Sequence, residues 1–165
     1  MKTLIVVRHA KSSWSESGLS DFDRPLNERG KRDAPEMANR IQKEQKSIDL
    51  FISSPAKRAK KTAELFAEKF KYDEGKIVLF PELYLAGPRD FIAAIIKTPS
   101  KMNSVIVFSH NPGVTEFVNT LTDTRIDDMP TCAVFIATIN IDKWTDFEKA
   151  EKEFQLFDYP KSTQG

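Results

Sequence analysis

The sequence predicts an α/β fold with three layers, in which helices cover both faces of a central, mostly parallel sheet. Short apolar runs rich in β-branched residues lie at 3–7, 48–53 and 104–109, as is typical of strands buried on both faces. Segments with apolar residues at helical spacing alternate with them. The chain has 165 residues without a repeat or a linker, which predicts a single domain over 1–165.

The first strand and the first helix are separated by a polar segment. The strand is expected at 3–7, and the serine-rich stretch 11–25 is expected to form a loop. Asn27 is a suitable N-cap for the helix that follows. Pro35 is expected to kink this helix or to begin its main segment. The predicted buried stripe consists of Ala34, Met37, Ala38 and Ile41.

The second helix is predicted from a serine followed by a proline. Ser54 would cap the helix and Pro55 would occupy its first position. Arg58 then falls in the first turn, where its side chain leans back toward the helix N-terminus. The predicted inner stripe consists of Ala59, Ala63, Phe66 and Phe70.

The remaining elements repeat the alternation of strand and helix. A short strand at 77–80 precedes a helix at 87–97, and the strand at 104–109 precedes a helix opened by Asn111 and Pro112. The predicted buried stripe of that helix consists of Val114, Phe117, Val118 and Leu121. Two late strands are expected at 133–139 and 153–157.

Composition excludes several classes of protein. The formal net charge is +1, so no overall field favours nucleic acid or an anionic membrane as partner. Cys132 is the one cysteine and cannot form an internal disulfide, which fits a reducing compartment. No apolar run approaches the roughly 20 residues that span a bilayer. A cytoplasmic protein is therefore expected, and two histidines with one cysteine predict no metal site and no cofactor.

Three basic residues are predicted to meet at the carboxyl ends of the strands, where ligands bind in such sheets. Arg8 and His9 end the first strand, and His110 ends the strand at 104–109. Arg58 begins a helix, whose N-terminal N–H groups also attract anions. A histidine nucleophile beside arginines that grip phosphoryl oxygens is the chemistry of metal-independent phosphoryl transfer. The alternatives are a packed structural histidine and, for Arg58, a solvated basic helix face.

Other phosphatase chemistries lack their required residues. A cysteine-dependent phosphatase needs arginine six positions after the cysteine, and Thr138 stands there. Asp21 and Asp23 resemble an aspartate-nucleophile motif, but no buried strand precedes them. The sequence also has neither a phosphate-binding Gly-x-x-x-x-Gly-Lys loop nor a Gly-x-Ser-x-Gly elbow.

Five ordered motifs resemble those of the histidine phosphatase superfamily, whose fold is that of phosphoglycerate mutase, and in particular its small SixA-type phosphohistidine phosphatases. The similarity extends from residue 3 to about residue 121. The motifs are Arg8-His9-Ala10-Lys11-Ser12, Asp21-Phe22-Asp23-Arg24-Pro25-Leu26 with Arg29-Gly30, Ser53-Ser54-Pro55 with Arg58-Ala59 and Thr62-Ala63, Pro81-Glu82-Leu83, and Ser109-His110-Asn111-Pro112-Gly113.

The resemblance implies a role for each matching residue. His9 would attack phosphorus and become a transient phosphohistidine. Arg8 and Arg58 would hold the phosphoryl oxygens, His110 would complete the pocket, and Ser12 would donate a hydrogen bond to the phosphate.

Three further positions have less specific implications. Glu82 stands where many relatives have the general acid or base, and an ordinary surface carboxylate is the alternative. Arg24 could touch substrate or anchor its loop, and the anchor is favoured. Ala10 departs from the family's usual glycine, which we interpret as a feature of the subgroup.

Phosphohistidine on a partner protein is the substrate that the resemblance implies, and the short chain suggests a site open enough for a protein side chain. One alternative is a small-molecule, phosphoserine or phosphothreonine phosphatase with Glu82 as acid. A third is a phosphate-recognition module that binds without turnover.

Overall fold

Six strands form one sheet in the computed structural model, which describes residues 1–14 and 17–161. In chain order they are β1 (Lys2–Arg8), β2 (Leu50–Ser53), β3 (Val78–Leu79), β4 (Ser104–Ser109), β5 (Val134–Ile139) and β6 (Lys152–Asp158). Their order across the sheet is β3-β2-β4-β1-β5-β6. The first four strands are parallel, β5 is antiparallel to β1, and β6 is antiparallel to β5. The predicted, mostly parallel sheet is therefore confirmed.

Helices pack on both faces of this sheet because its strands alternate their side chains between two cores. The helices are α1 (Glu28–Glu44), α2 (Lys57–Phe70), α3 (Pro88–Ile95) and α4 (Gly113–Leu121). Leu4 and Val6 of β1 belong to the core under α3 and α4, whereas Ile5 and Val7 belong to the core under α1 and α2. The three-layer arrangement is thus confirmed. Within the two described ranges, no helix has the length and apolar character to cross a membrane.

The helix starts agree only in part with the predicted caps. Asn27 caps α1 by accepting a hydrogen bond from the Gly30 N–H at 2.9 Å, as predicted, and α1 continues through Pro35. Helices α2 and α4 begin later than expected, after Ala56 and Pro112. The Ser54 hydroxyl contacts His110 Nε2 at 2.8 Å, and the Asn111 amide group donates to Asp128 at 2.9 Å and to the Met129 carbonyl at 3.1 Å.

The register between β1 and β4 places both histidines at one point. Arg8 lies opposite Ser109 in this parallel pair, so the next residue of each chain segment is a histidine. The N–H of His9 donates to the Ser109 carbonyl at 3.0 Å, which extends the pairing by one residue. The ring centroids of His9 and His110 are 5.1 Å apart. The expected meeting of the two strand ends is therefore found.

Candidate active site

A pocket of about 310 Å³ lies at the carboxyl ends of β1 and β4. It is smaller than the 680 Å³ cleft between α4 and β6, but none of the predicted site residues lines that cleft. The smaller pocket holds five of the six predicted site residues, and its lining consists of Arg8, His9, Lys11, Ser12, Trp14, Asp21, Arg24, Arg58, His110, Asn111 and Thr131.

His9 has a defined tautomer. Its Nδ1 lies 2.7 Å from the carbonyl oxygen of Ala10, and a carbonyl can only accept a hydrogen bond, so Nδ1 carries the proton. Nε2 is consequently the unprotonated ring nitrogen, with a lone pair that can accept a hydrogen bond. The ring is buried, and the Ala10 N–H is in turn held by the Thr62 hydroxyl at 3.0 Å. The imidazole is therefore held in one tautomer by a backbone carbonyl that is itself part of a hydrogen-bonded segment.

Arg58 contacts both His9 and the loop above it. Its Nε donates to His9 Nε2 at 3.2 Å. Nη1 donates to the backbone oxygen of Asp21 at 2.5 Å, and Nη2 donates to the Asp21 carboxylate at 3.0 Å. As predicted, Arg58 is in the first turn of α2, and it is buried, so a solvated helix face does not describe it. The guanidinium donates from three separate nitrogen atoms in one plane, whereas a lysine has a single nitrogen atom.

Both imidazoles are held in the neutral form. Burial lowers the pKa of His9 well below its ordinary value, and His110 and the Arg58 and Arg8 cations lower it further, against the Ala10 carbonyl. Burial also lowers the pKa of His110 to about 3, with contributions from Arg58 and Arg8 that oppose the effect of Asp21. A neutral His9 at physiological pH keeps its Nε2 lone pair available.

Two buried nitrogen atoms in this pocket have no hydrogen-bond partner within the described residues, namely Arg8 Nε and His110 Nδ1. The other ring nitrogen of His110 lies 2.8 Å from the Ser54 hydroxyl, and Arg8 Nη1 donates to the Met129 carbonyl at 2.9 Å. Buried polar atoms in native proteins are nearly always satisfied. Each of the two side chains is therefore anchored at one end by a hydrogen bond and has a buried, unpaired nitrogen atom at the other.

Asp21 is a site residue that the sequence analysis placed only within a motif. Its carboxylate accepts hydrogen bonds from the Tyr84 hydroxyl at 2.7 Å, from Arg58, and from Arg24 at 3.0 Å. Led by the Tyr84 bond, these contacts hold the pKa of Asp21 well below its usual value despite partial burial. Tyr84 also packs its ring edge-on to His110, with centroids 5.5 Å apart. Neither residue has a spacing that would have identified it in advance.

Ser12 and Arg24 join the loop to the pocket wall. Arg24 donates through Nη2 to the Ser12 hydroxyl and through Nε to the Ser13 carbonyl at 3.2 Å. Its guanidinium also lies beneath the Trp14 ring, 3.2 Å from the centroid. These contacts agree with the favoured interpretation of Arg24 as the anchor of the loop. Ser12 is buried in the pocket wall, where its hydroxyl already has Arg24 as a partner.

Glu82 is the predicted site residue that the structure does not bring to the pocket. It lies in a 3₁₀ turn, and its carboxylate faces Lys97 at 3.8 Å. The next residue, Leu83, is fully buried and accepts a hydrogen bond from the Ser109 hydroxyl, so the turn directs Glu82 to the outside. The structure places Glu82 where an ordinary surface carboxylate would be, and its predicted role in catalysis has no support from its position.

Cys132 lies behind the site and is fully buried. Burial raises the pKa of its thiol far above the usual value, which opposes formation of the thiolate that a cysteine nucleophile needs. Across residues 1–14 and 17–161, no three His, Cys, Asp or Glu side chains group closely enough to hold a metal ion.

Comparison with known proteins shows which sequences and folds this chain resembles. The sequence pattern of the histidine phosphatase superfamily (branch 1) matches residues 4–83. A chloroplastic protein of Arabidopsis thaliana, of no assigned function, is 29% identical over 140 residues, which are 79% of this chain and 63% of that protein. Phosphoserine phosphatase 1 of Hydrogenobacter thermophilus is 41% identical over 70 residues, 41% of this chain and 32% of that enzyme. The chain thus spans less than two thirds of these relatives.

The fold matches solved structures over nearly its whole length. The protein histidine phosphatase SixA, solved with tungstate, superposes with a TM-score of 0.80 at 24% identity, over 96% of this chain and 97% of that one. The chain is thus similar to the histidine phosphatase superfamily in sequence over residues 4–83 and to SixA in fold over nearly its whole length.

Proposed function

We propose that the protein is a phosphatase that transfers the phosphoryl group through His9, with phosphohistidine on another protein as its substrate. One observation supports this most directly: the neutral Nε2 of His9 is held by Arg58 in a pocket that Arg8 and His110 also line. The lone pair is a nucleophile, and the surrounding donors match the oxygens of a phosphoryl group.

In the first step, His9 Nε2 attacks phosphorus and the bond from phosphorus to the substrate nitrogen breaks. The bonding electrons go to the leaving imidazole. Positive charge develops on the His9 ring, and the Ala10 carbonyl, which accepts from Nδ1–H at 2.7 Å, stabilises it. Arg58 Nε releases Nε2 and donates to a phosphoryl oxygen instead, while the Arg8 guanidinium and the His110 ring, which also line the pocket, donate to the others.

In the second step, water attacks the phosphorus of phosphorylated His9. The Nε2–phosphorus bond breaks, its electrons return to Nε2, and both water protons leave with the product as dihydrogen phosphate. His9 is again neutral with its proton on Nδ1. The lowered pKa of His9 favours this step, because a less basic imidazole is a better leaving group. The ring that departs is neutral, which suits its buried position.

The protonation state of Asp21 supports phosphohistidine over a phosphate ester. Asp21 is the one carboxyl group among the described residues that line the pocket, and its low pKa keeps it ionised. An ester needs a proton donor for its departing alkoxide. Phosphohistidine protonated on its distal ring nitrogen departs as neutral imidazole without that donor.

A phosphoserine or small-molecule phosphatase is the second candidate. The observation that favours it is the 41% identity, over 70 residues, to a protein named phosphoserine phosphatase 1. Under this hypothesis a general acid must protonate the leaving alkoxide, and Glu82 is the residue that the sequence predicts for that role.

The decisive experiment compares phosphate release from three probes: a phosphohistidine peptide, phosphoserine and p-nitrophenyl phosphate. Wild type is expected to act fastest on the phosphohistidine peptide, and His9→Ala is expected to be inactive. A base-stable, acid-labile phosphoryl group on a His9 peptide, seen by mass spectrometry, would identify the nucleophile.

Two controls separate a missing nucleophile from a damaged fold. The His9→Ala variant should melt at nearly the wild-type temperature, and added imidazole should restore phosphate release by taking the place of the ring. Faster turnover of phosphoserine would favour the second candidate. Phosphate binding without release from any probe by wild type would indicate a recognition module.

A further inference from the structure

A second cavity, of about 420 Å³, adjoins the active-site pocket and has a strongly basic lining. We call it the lysine groove. Its four lysines face one glutamate, and its lining consists of Pro25, Leu26, Lys31, Lys57, Lys60, Lys61 and Glu64. It lies between the loop before α1 and the start of α2, on elements that also form the pocket.

The groove and the pocket are continuous along two chain segments. Arg24 lines the pocket and the next residue, Pro25, lines the groove. Likewise Lys57 lines the groove and Arg58 lines the pocket. A molecule whose phosphoryl group reaches His9 therefore has its neighbouring surface against the lysines.

The lysine groove is far more positive than the protein as a whole. The chain as a whole has a net charge of +1. Lys57, Lys60 and Lys61 are exposed, and no carboxylate in the described residues lies within ion-pairing distance of them. Unpaired, clustered cations on a nearly neutral protein create a local field that attracts acidic surfaces.

The opposite side of the pocket has the opposite charge. Asn111 lines the pocket and also a cavity whose charged lining residues are three carboxylates and one arginine, namely Glu116, Asp127, Asp128 and Arg125. The field therefore runs across the pocket from an acidic side to the lysine groove. Such a field orients a partner as well as attracting it, because only one placement puts its acidic surface on the lysines.

Exposed apolar side chains around the pocket indicate that the partner is a protein. Trp14 is 76% exposed although it lines the pocket, and Leu85, next to Tyr84, is 80% exposed. Phe22 is also exposed and packs edge-on against Tyr84. Aromatic anchors beside a charged region are typical of protein interfaces, whereas a small anion would leave them in water.

We infer that this face docks a protein that bears acidic side chains beside its phosphohistidine, with those carboxylates in the lysine groove. The inference rests on the proposed function and names the feature by which the site selects its substrate. It concerns a surface outside the phosphoryl pocket, because the groove would contact the residues that neighbour the phosphohistidine and not the phosphoryl group.

The test uses two phosphohistidine peptides of equal length, one with three aspartates after the phosphohistidine and one with three glutamines. Wild type is expected to act on the acidic peptide with kcat/KM about tenfold higher, mainly through KM, as rim charges worth about 1.4 kcal/mol would produce. Lys60→Glu/Lys61→Glu should abolish the preference, and 0.5 M salt should reduce it. Equal rates on the two peptides by wild type would overturn the inference.

A matched control has the same change of charge elsewhere. Lys69→Glu/Lys101→Glu alters two exposed lysines outside the groove and should keep the preference. If this control also loses it, net charge and not the groove is responsible, and the inference is wrong.

Binding separates docking from catalysis. His9→Ala should bind the labelled acidic peptide more tightly than the glutamine peptide even though it releases no phosphate. If no protein releases phosphate but this preference is present, the proposed function fails and the docking surface stands. Tighter binding of a single-stranded oligonucleotide or of anionic phosphatidylserine vesicles than of the acidic peptide would contradict a protein partner.

Discussion

Arg58 donates from Nε to His9 Nε2 over 3.2 Å, so a cation holds the lone pair on which the proposed reaction depends. The same guanidinium is fixed by Asp21 through its two Nη atoms. This arrangement orients the imidazole, and the nearby positive charge helps to keep it neutral. In the proposed reaction, Arg58 Nε would then donate to a phosphoryl oxygen of the substrate.

Arg58→Lys is expected to lower kcat/KM by at least about a hundredfold, comparable to loss of one oxyanion-hole donor. Lysine keeps the charge but cannot donate to His9 and to both Asp21 oxygens from one planar fork. Steady-state phosphate release from the phosphohistidine peptide measures the effect.

A measurement of stability controls for damage to the fold in this variant. Thermal unfolding of Arg58→Lys should lie close to wild type, since the lysine stem fills most of the same space. Activity within a factor of three of wild type would show that charge alone is required and that the fork geometry is not.

Asp21→Asn is expected to separate turnover from phosphate binding. Without the carboxylate, Arg58 is held less firmly, and kcat should fall about tenfold, because small displacements of a catalytic group are costly. Inorganic phosphate should bind more tightly, because a negative charge beside the pocket is removed. Product-inhibition constants and kcat, measured together, test both expectations.

Asp23→Asn is the matched control, since Asp23 lies in the same 3₁₀ turn and is exposed, with the Ser20 hydroxyl as partner. It should leave both quantities unchanged. If Asp21→Asn weakens phosphate binding in parallel with kcat, Asp21 supports the anion site itself and does not compete with phosphate for Arg58.

The meeting of His9 and His110 could be predicted from sequence because it depends on strand topology. Both residues follow strongly apolar runs, and parallel strands bring their carboxyl ends to one edge. The observed register, with Arg8 opposite Ser109, confirms the placement. The helix stripes were predictable because burial follows periodicity, although Phe70 at the end of the α2 stripe is only half-buried.

The loop over the site could not be predicted in the same way. Asp21 reaches Arg58 and Tyr84 across 37 and 63 positions, and no periodicity relates residues that a loop brings together. Glu82 shows the converse limit: the motif placed it near the site, but the neighbouring Leu83 is buried and directs Glu82 outward. In short turns a single buried neighbour decides the direction of each side chain.

Acid should destabilise the protein through its two histidines. The pKa of His110 is about 3 and that of His9 is also lowered, so between these values and 6.5 the unfolded chain binds more protons than the folded protein. The free energy of unfolding must therefore rise with pH in this range. From pH 7 to pH 5 His110 is expected to remove about 2 kcal/mol, and His9 acts in the same direction.

Urea unfolding of wild type and His110→Asn at pH 7 and pH 5 measures this contribution. The variant should lose about 2 kcal/mol less than wild type between the two pH values, whatever its stability at pH 7. The carboxylates are common to both proteins and cancel. Equal losses would mean that His110 is protonated in the folded state at pH 5.

Gly30→Ala should destabilise the protein by about 2 kcal/mol, although alanine alone would favour a helix by about 1 kcal/mol. A Cβ at this position would lie 2.2 Å from the backbone oxygen of Lys11, which accepts a hydrogen bond from the Asn27 N–H and cannot move alone. Gly75→Ala is the control, because its new Cβ would meet only the movable carboxylate of Asp73. Since Lys11 also lines the pocket, displacement of its backbone should lower phosphate release from the phosphohistidine peptide as well. Urea unfolding that shows Gly30→Ala to be as stable as wild type would mean that α1 can retreat from the loop without cost, and the close approach would then have no part in shaping the site.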